Sequence, residues 1–307
     1  MKQFKYAFLV FLGGCCYGIL STFVKLAYAK GYTSAEVTGS QYFLGAVLIW
    51  IATLFIKREK ISVKRMIKLI LAGTTFGMTG IFYYQSLKTL DASMAIIFLF
   101  QFVWIGTIFD FLFNKKKPSP AKIISIIILI AGSLLAANIF TSSTQAITLS
   151  GAVWGFLSSI SYTTSMFFSS KMENELPAVQ KSAFLTTGAL LMIFLVFPPV
   201  AFTNVSLITG IFPYALLLGF FGVFLPPLLY SIGLPHIGPS LGTMLSSSEL
   251  PVAVIMSFTV LKEPVNTPQW FGVLLILAGI LSGNLFSGKN SKSSSESSLP
   301  KPACEKI

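Results

Sequence analysis

The stretch "MLSSSELPVAVI", residues 244–255, places one carboxylate, Glu249, in a run otherwise free of charge. On a helix its neighbours at three- and four-residue spacing are Gly242, Ser246, Ala253 and Ser257, a small and polar stripe; Val252, Val254, Ile255 and Phe258 fall largely elsewhere. A stripe of that kind faces protein or water rather than acyl chains. A charged side chain at a bilayer centre costs about 2.5–3.5 kcal/mol on insertion scales, and Gln or Leu would avoid that cost. Two readings stand. Glu249 carries a proton or touches a cationic group, or it accepts bonds from neighbouring Ser, Tyr or Trp groups and locks helices together.

Other residues raise the same question. Lys25 shares a helical face with Gly14, Gly18 and Ser21 or Thr22, but it is also near enough to a helix end to snorkel. In "WGFLSSISYTTSMFFSS", Trp154, Ser158, Tyr162 and Ser165 share one face. They line a wet path, or their hydroxyls bond back to helix carbonyls. Tyr84, Gln85, Gln101 and Tyr230 are further polar candidates within apolar sequence. Asp110 beside Lys115–Lys117 reads as a surface charge, and the single histidine, His236, as a solvated loop residue between Pro235 and Pro239. One histidine excludes a His-rich metal site, and no Walker A glycine loop is present. No cofactor is expected, and no catalytic constellation that would make the chain an enzyme is visible.

The elements that must hold these residues follow from composition. Only 10% of the 307 residues are charged, against about 25% in soluble domains. Apolar runs of the length needed to cross about 30 Å of hydrocarbon recur along the chain. The fold class is therefore all-α integral membrane. Ten spans are expected near 6–29, 35–56, 67–87, 92–113, 122–140, 149–170, 182–201, 209–234, 239–261 and 269–286, with spans two, four and five the clearest and spans eight and nine broken by prolines. The first run continues past "LGGC", so it reads as an uncleaved span. The net charge of +12 sits mostly in gaps between apolar runs, which excludes a nucleic-acid partner. With the N-terminus inside, eighteen lysines and arginines fall on the inner side and three, Lys30, Lys88 and Lys262, on the outer. Both termini are expected in the cytoplasm of a plasma membrane, in a chain of bacterial type. The sequon at Asn204 and the C-terminal "CEKI" carry no modification on this reading.

A shift of 147 residues superposes Tyr83 on Tyr230, Leu87 on Leu234, Phe111 on Phe258, Lys115 on Lys262 and Gly132 on Gly279. The start of each half aligns at a different offset, Gly18 with Gly155 and Lys25 with Tyr162. Two five-span units result, the second inserted upside down because five is odd, with a site expected at the midplane where they meet.

The stretch "ELPVAVIMSFTVLKEPVNTPQWFGVLLILAGILSGN", with Leu261, Lys262, Glu263 and Pro264 preceding a helix carrying Gly272 and Gly279, resembles the drug/metabolite transporter superfamily and within it the EamA-type permeases. The first half departs from that pattern, with "NKKKPSP" where a glutamate is often found. The resemblance implies repeats at 1–140 and 149–286, a tail at 287–307 that reads as disordered, and a ten-helix carrier with a central cavity, often an exporter of amino acids or other small metabolites. Expected partners are a small-molecule substrate and the lipid bilayer, with proton coupling following on the first of the two readings of Glu249. The competing readings are an intramembrane enzyme acting on lipid or prenyl substrates and a non-transporting receptor or scaffold.

Overall fold

The computed structural model describes residues 2–86, 89–90, 92–115, 117–136, 148–198, 205–262 and 265–296, and among them it is helical without strands. The helices are α1 (Lys2–Ala29), α2 (Ser34–Leu54), α3 (Val63–Ser86), α4 (Ala92–Phe100), α5 (Phe102–Asn114), α6 (Pro120–Ala136), α7 (Leu149–Lys171), α8 (Ala178–Val196), α9 (Val205–Leu218), α10 (Leu225–Ile237), α11 (Pro239–Ser246), α12 (Glu249–Thr259) and α13 (Thr267–Glu296), with a π-helical segment Gly219–Phe224 between α9 and α10. In hydrocarbon every backbone polar group must be satisfied internally, which is why such apolar runs become helices. Among the described residues seven stretches are long and apolar enough to cross a membrane, and the helices at Pro120–Ala136 and Thr267–Ser282 are apolar but shorter. α7 is not among either set. It is rich in Ser and Thr, and Ser158, Ser159, Thr163, Ser165 and Ser169 are wholly buried against other helices.

Proline chemistry shapes the breaks. Pro227 has no N–H, so the carbonyl of Val223 loses its helical partner; the hydroxyl of Thr186 on α8 donates to it at 3.4 Å. Pro239 opens α11 and Pro251 falls in the first turn of α12, where a missing N–H costs nothing. Span four is not continuous as expected. It breaks at Gln101, between α4 and α5, and span nine breaks at Ser247–Ser248, between α11 and α12. These breaks lie 147 residues apart, the shift that superposes the sequence halves. Lys115 and Lys262, also 147 apart, both hold left-handed φ, 53° and 57°.

Partners follow a reciprocal pattern. α1 packs on α10, α11 and α12, and α7 packs on α3, α4 and α5. α2 lies against α8, and α6 against α13. Gly14 and Gly18 bring α1 onto the α11–α12 break: a Cβ on Gly14 would meet the Cα of Ser246 at 2.9 Å, and one on Gly18 the Cβ of Val252 at 2.7 Å. α13 continues into the tail as far as Glu296, since Ser and Lys tolerate a helix and no proline intervenes before Pro300. The rest of the tail, Asn204, and Glu263 and Pro264 of the charged turn lie outside the described residues.

Candidate functional site

A cavity of about 510 Å³ lies among α1, α2, α3, α4, α7, α12 and the π segment. Its walls come from the second half of α1, the first half of α2 and the second half of α3, so it occupies the end of the bundle remote from the N-terminus. Six tyrosines line it: Tyr17, Tyr28, Tyr42, Tyr83, Tyr84 and Tyr162. Among the described residues two charged side chains join them, Lys25 from α1 and Glu249 from α12. Gln41 adds a carboxamide whose Oε1 is buried without a hydrogen-bond partner among the described residues.

Glu249 is the first residue of α12, directly after the break, which puts its carboxyl at the positive end of that helix dipole. Ala253, one turn on, lines the same cavity. Among the described residues the Glu249 carboxyl makes no hydrogen bond or ion pair. A helix-locking glutamate would accept such bonds from its Ser and Tyr neighbours; here those hydroxyls bond one another. Ser246 Oγ donates to the carbonyl of Gly242 at 3.0 Å. Its oxygen then accepts from Tyr230 at 2.9 Å, and Tyr230 accepts from Tyr162 at 3.1 Å. Tyr17 packs edge-on against both tyrosine rings, with centroids 6.1 and 6.0 Å away. This layer forms the cavity floor. Beyond it, Thr107 and Ser240 join α5 to α11 at 2.9 Å, and Ser182 bonds Ser231 Oγ at 2.9 Å and the carbonyl of Pro227 at 3.1 Å.

The sequence candidates therefore divide. Glu249, Lys25, Tyr84 and Tyr162 line the cavity. Tyr230 and Ser246 are wholly buried one layer behind it and support its floor. The helix break separates Ser246 and Gly242 from Glu249 and turns them toward α10, where Gly242 abuts Leu234. Gln101 is at the α4–α5 break, where its Oε1 accepts from Trp104 Nε1 at 2.6 Å and its Nε2 donates to the Ile97 carbonyl. Gln85 is not in the lining. The shared face of α7 does not act as one wall. Ser158 is wholly buried, Ser165 bonds back to the Tyr162 carbonyl at 2.7 Å, and Trp154 points outward against Phe82.

Three charged or polar placements also differ from expectation. His236 is exposed but is in the last turn of α10, with its ring stacked on Tyr6 at 3.6 Å. Asp110 is partly buried and lies 3.8 Å from Lys122, while Asn114 donates to it at 2.6 Å. Lys181, counted between spans among the eighteen inner-side lysines and arginines, is only 1% exposed and donates to the Ser169 carbonyl at 2.5 Å and to Asn174 Oδ1 at 2.8 Å. Sequence reasoning missed Tyr17, Tyr28, Tyr42, Tyr83 and Gln41. The available signal was a stripe on α1, Tyr17, Ser21, Val24 and Tyr28 at helical spacing, matched by Phe76, Thr79 or Gly80, and Tyr83 on α3.

Comparison with known families then decides the class. The family model for EamA-like transporters matches residues 4–138 and, a second time, residues 149–283. This chain belongs to the EamA-like transporter family. EamA-like chains are membrane transporters of the drug/metabolite superfamily, which fits the polytopic apolar helices here. A solved structure described as a crystal structure of a protein superposes with a TM-score of 0.74, covering 92% of this chain and 98% of its own at 13% identity. At that identity the likeness speaks for the fold alone. A search of curated proteins gave no match.

Proposed function

We propose that this EamA-like chain is a secondary transporter that exports small amphipathic solutes, amino acids or drug-like compounds, across a bacterial plasma membrane by alternating access. The observation that carries this reading is one cavity, of a volume suited to a metabolite, holding a carboxyl, an ammonium and six tyrosine rings. Glu249 suits an amine or a proton, Lys25 a carboxylate, and the rings an apolar or cationic body. A zwitterion with an apolar side chain uses all three.

On this reading the chain has ten crossings in two inverted five-helix units, roughly 1–140 and 149–286, with both termini cytoplasmic. Support comes from the reciprocal helix partners and from the paired breaks at Gln101 and Ser248. The cavity then opens outward, and the tyrosine floor and the layers beneath it close the cytoplasmic side. Transport requires those layers to separate while the outer walls close.

Flux through liposomes containing only the purified chain is the test. Saturable uptake of an amino acid or cationic amphiphile, competed by unlabelled solute, is expected. Liposomes no more permeable than empty ones to a broad solute panel, with the chain folded, would remove the transport reading. A reporter fused after Ile307 should be cytoplasmic, and a cysteine at Lys30 should react with an impermeant reagent from outside.

A further inference from the structure

On the outer surface of the bundle, away from the cavity, α2 and α8 diverge and leave a groove of about 420 Å³. Phe43, Ala46, Trp50 and Leu54 form one wall and Leu190 belongs to the other. The floor is tied shut, because Trp50 Nε1 donates to Thr187 Oγ1 at 2.9 Å and the Trp50 ring meets Phe184 edge-on at 5.6 Å. Apart from Thr187, whose hydroxyl is bonded to Trp50, the groove is apolar except at one end, where Arg58 completes the lining.

Dimensions and charge say what fits. From Phe43 to Leu54 the groove follows α2 for about 16 Å at 1.5 Å per residue. That is close to half of the roughly 30 Å hydrocarbon core, the depth of one leaflet. α2 ends at Leu54, so Arg58 falls where an apolar chain filling the groove would meet its headgroup. Arg58 Nε is held by the Thr53 carbonyl at 3.1 Å, which folds the guanidinium back toward the helix end. Its terminal nitrogens make no ion pair among the described residues. Lys57 precedes it, and Glu59 and then Lys60 follow, so the segment stays net basic, and basic pockets between membrane helices bind anionic headgroups.

We infer that this groove is a binding site for an anionic phospholipid of the leaflet on the basic side, with one acyl chain between α2 and α8 and the phosphate on Arg58. α2 also carries Gln41 and Tyr42 into the cavity, so a lipid seated there braces a helix that the transport path uses. The site does not depend on what the cavity carries.

The test measures melting temperature of the purified full-length chain in detergent during titration with phosphatidylglycerol, phosphatidylcholine of the same acyl chains, or glycerol phosphate. Wild type should be stabilised by phosphatidylglycerol at concentrations where phosphatidylcholine and glycerol phosphate have little effect. Arg58→Gln should weaken the phosphatidylglycerol response about fivefold, as loss of one basic contact near a lipid surface implies. Val47→Trp, which fills the groove from its lipid-facing wall, should abolish the response with Arg58 still present. Lys64→Gln, an exposed basic residue outside the groove, should leave it unchanged. Three outcomes would each overturn the site: an Arg58→Gln response equal to wild type, a Lys64→Gln loss as large as that of Arg58→Gln, or glycerol phosphate matching the lipid. The last would show a free-phosphate site without an acyl chain.

Discussion

At the end of the bundle where α3 begins and α7 stops, polar groups are tied to one another. Arg65 pairs with Glu173, Gln180 both accepts from and donates to the Glu59 backbone at 2.9 Å, and Lys181 fills a buried niche at the end of α7. At the opposite end, tyrosines, Lys25 and Glu249 surround open volume. Both ends draw on the same polar residue types. They differ in satisfaction: the polar groups just named at the first end are bonded within the protein, whereas at the second, among the described residues, the Glu249 carboxyl makes no hydrogen bond or ion pair and Gln41 Oε1 is buried without a partner. Satisfied buried networks rigidify, whereas a carboxyl with no partner among the described residues keeps its bonding capacity for a solute on the proposed reading. On the proposed reading, the solute site belongs at the second end and the closure at the first.

The largest expected effect breaks the tied end. Lys181→Ala leaves the Ser169 carbonyl and Asn174 without their donor and opens a void, so a loss of about 2–4 kcal/mol is expected. It should show as a marked fall in melting temperature, and unchanged melting would mean that this end is not held as described. A paired substitution sharpens the contrast. A Cβ on Gly73 would meet backbone atoms of Leu185 at 2.7 and 2.8 Å, whereas one on Gly80, beside the cavity, meets only Tyr42 Oη at 3.3 Å. Gly73→Ala should cost about 1–3 kcal/mol through overpacking, while Gly80→Ala should melt like wild type and affect solute binding only. Equal destabilisation would erase the difference between the two ends. The smallest perturbation is labelling. A cysteine at Ser21 should react with small aqueous thiol reagents and be protected by transported solute, and one at Ser158 should react far more slowly. Equal rates would place Ser158 on the water path.

Part of this arrangement was legible in the sequence. The helix-length apolar runs were, because hydrocarbon demands them. So was the break in span nine, flagged by Pro239 and Pro251. The break at Gln101 was not, since no proline or glycine marks it; only the structure pairs it with Ser248. Glu249, Lys25, Tyr84 and Tyr162 were found because a polar group in hydrocarbon must have a reason to be there. Whether the α7 hydroxyls line a wet path or bond back to the helix stayed open in the sequence, because a helix face records which residues share a direction, not whether that direction holds protein or open space. The burial of Lys181 was illegible for a related cause. Sequence places it beside a charged turn, and only the fold shows that the ends of α7 and α8 close over it. Tyr17, Tyr42 and Tyr83 were overlooked because single tyrosines at membrane depth are common, and their convergence from three helices is a tertiary fact.

Transport by the Glu249→Gln variant across a pH series tests the account most directly. Gln keeps the shape and hydrogen-bonding capacity of Glu but cannot ionise. With purified protein in liposomes, the variant should express and melt like wild type, and it should lose pH-dependent flux and most of its affinity for amine-bearing solutes. Flux that matches wild type at every pH would contradict the account, and Glu249 would then be a passive element of the cavity wall.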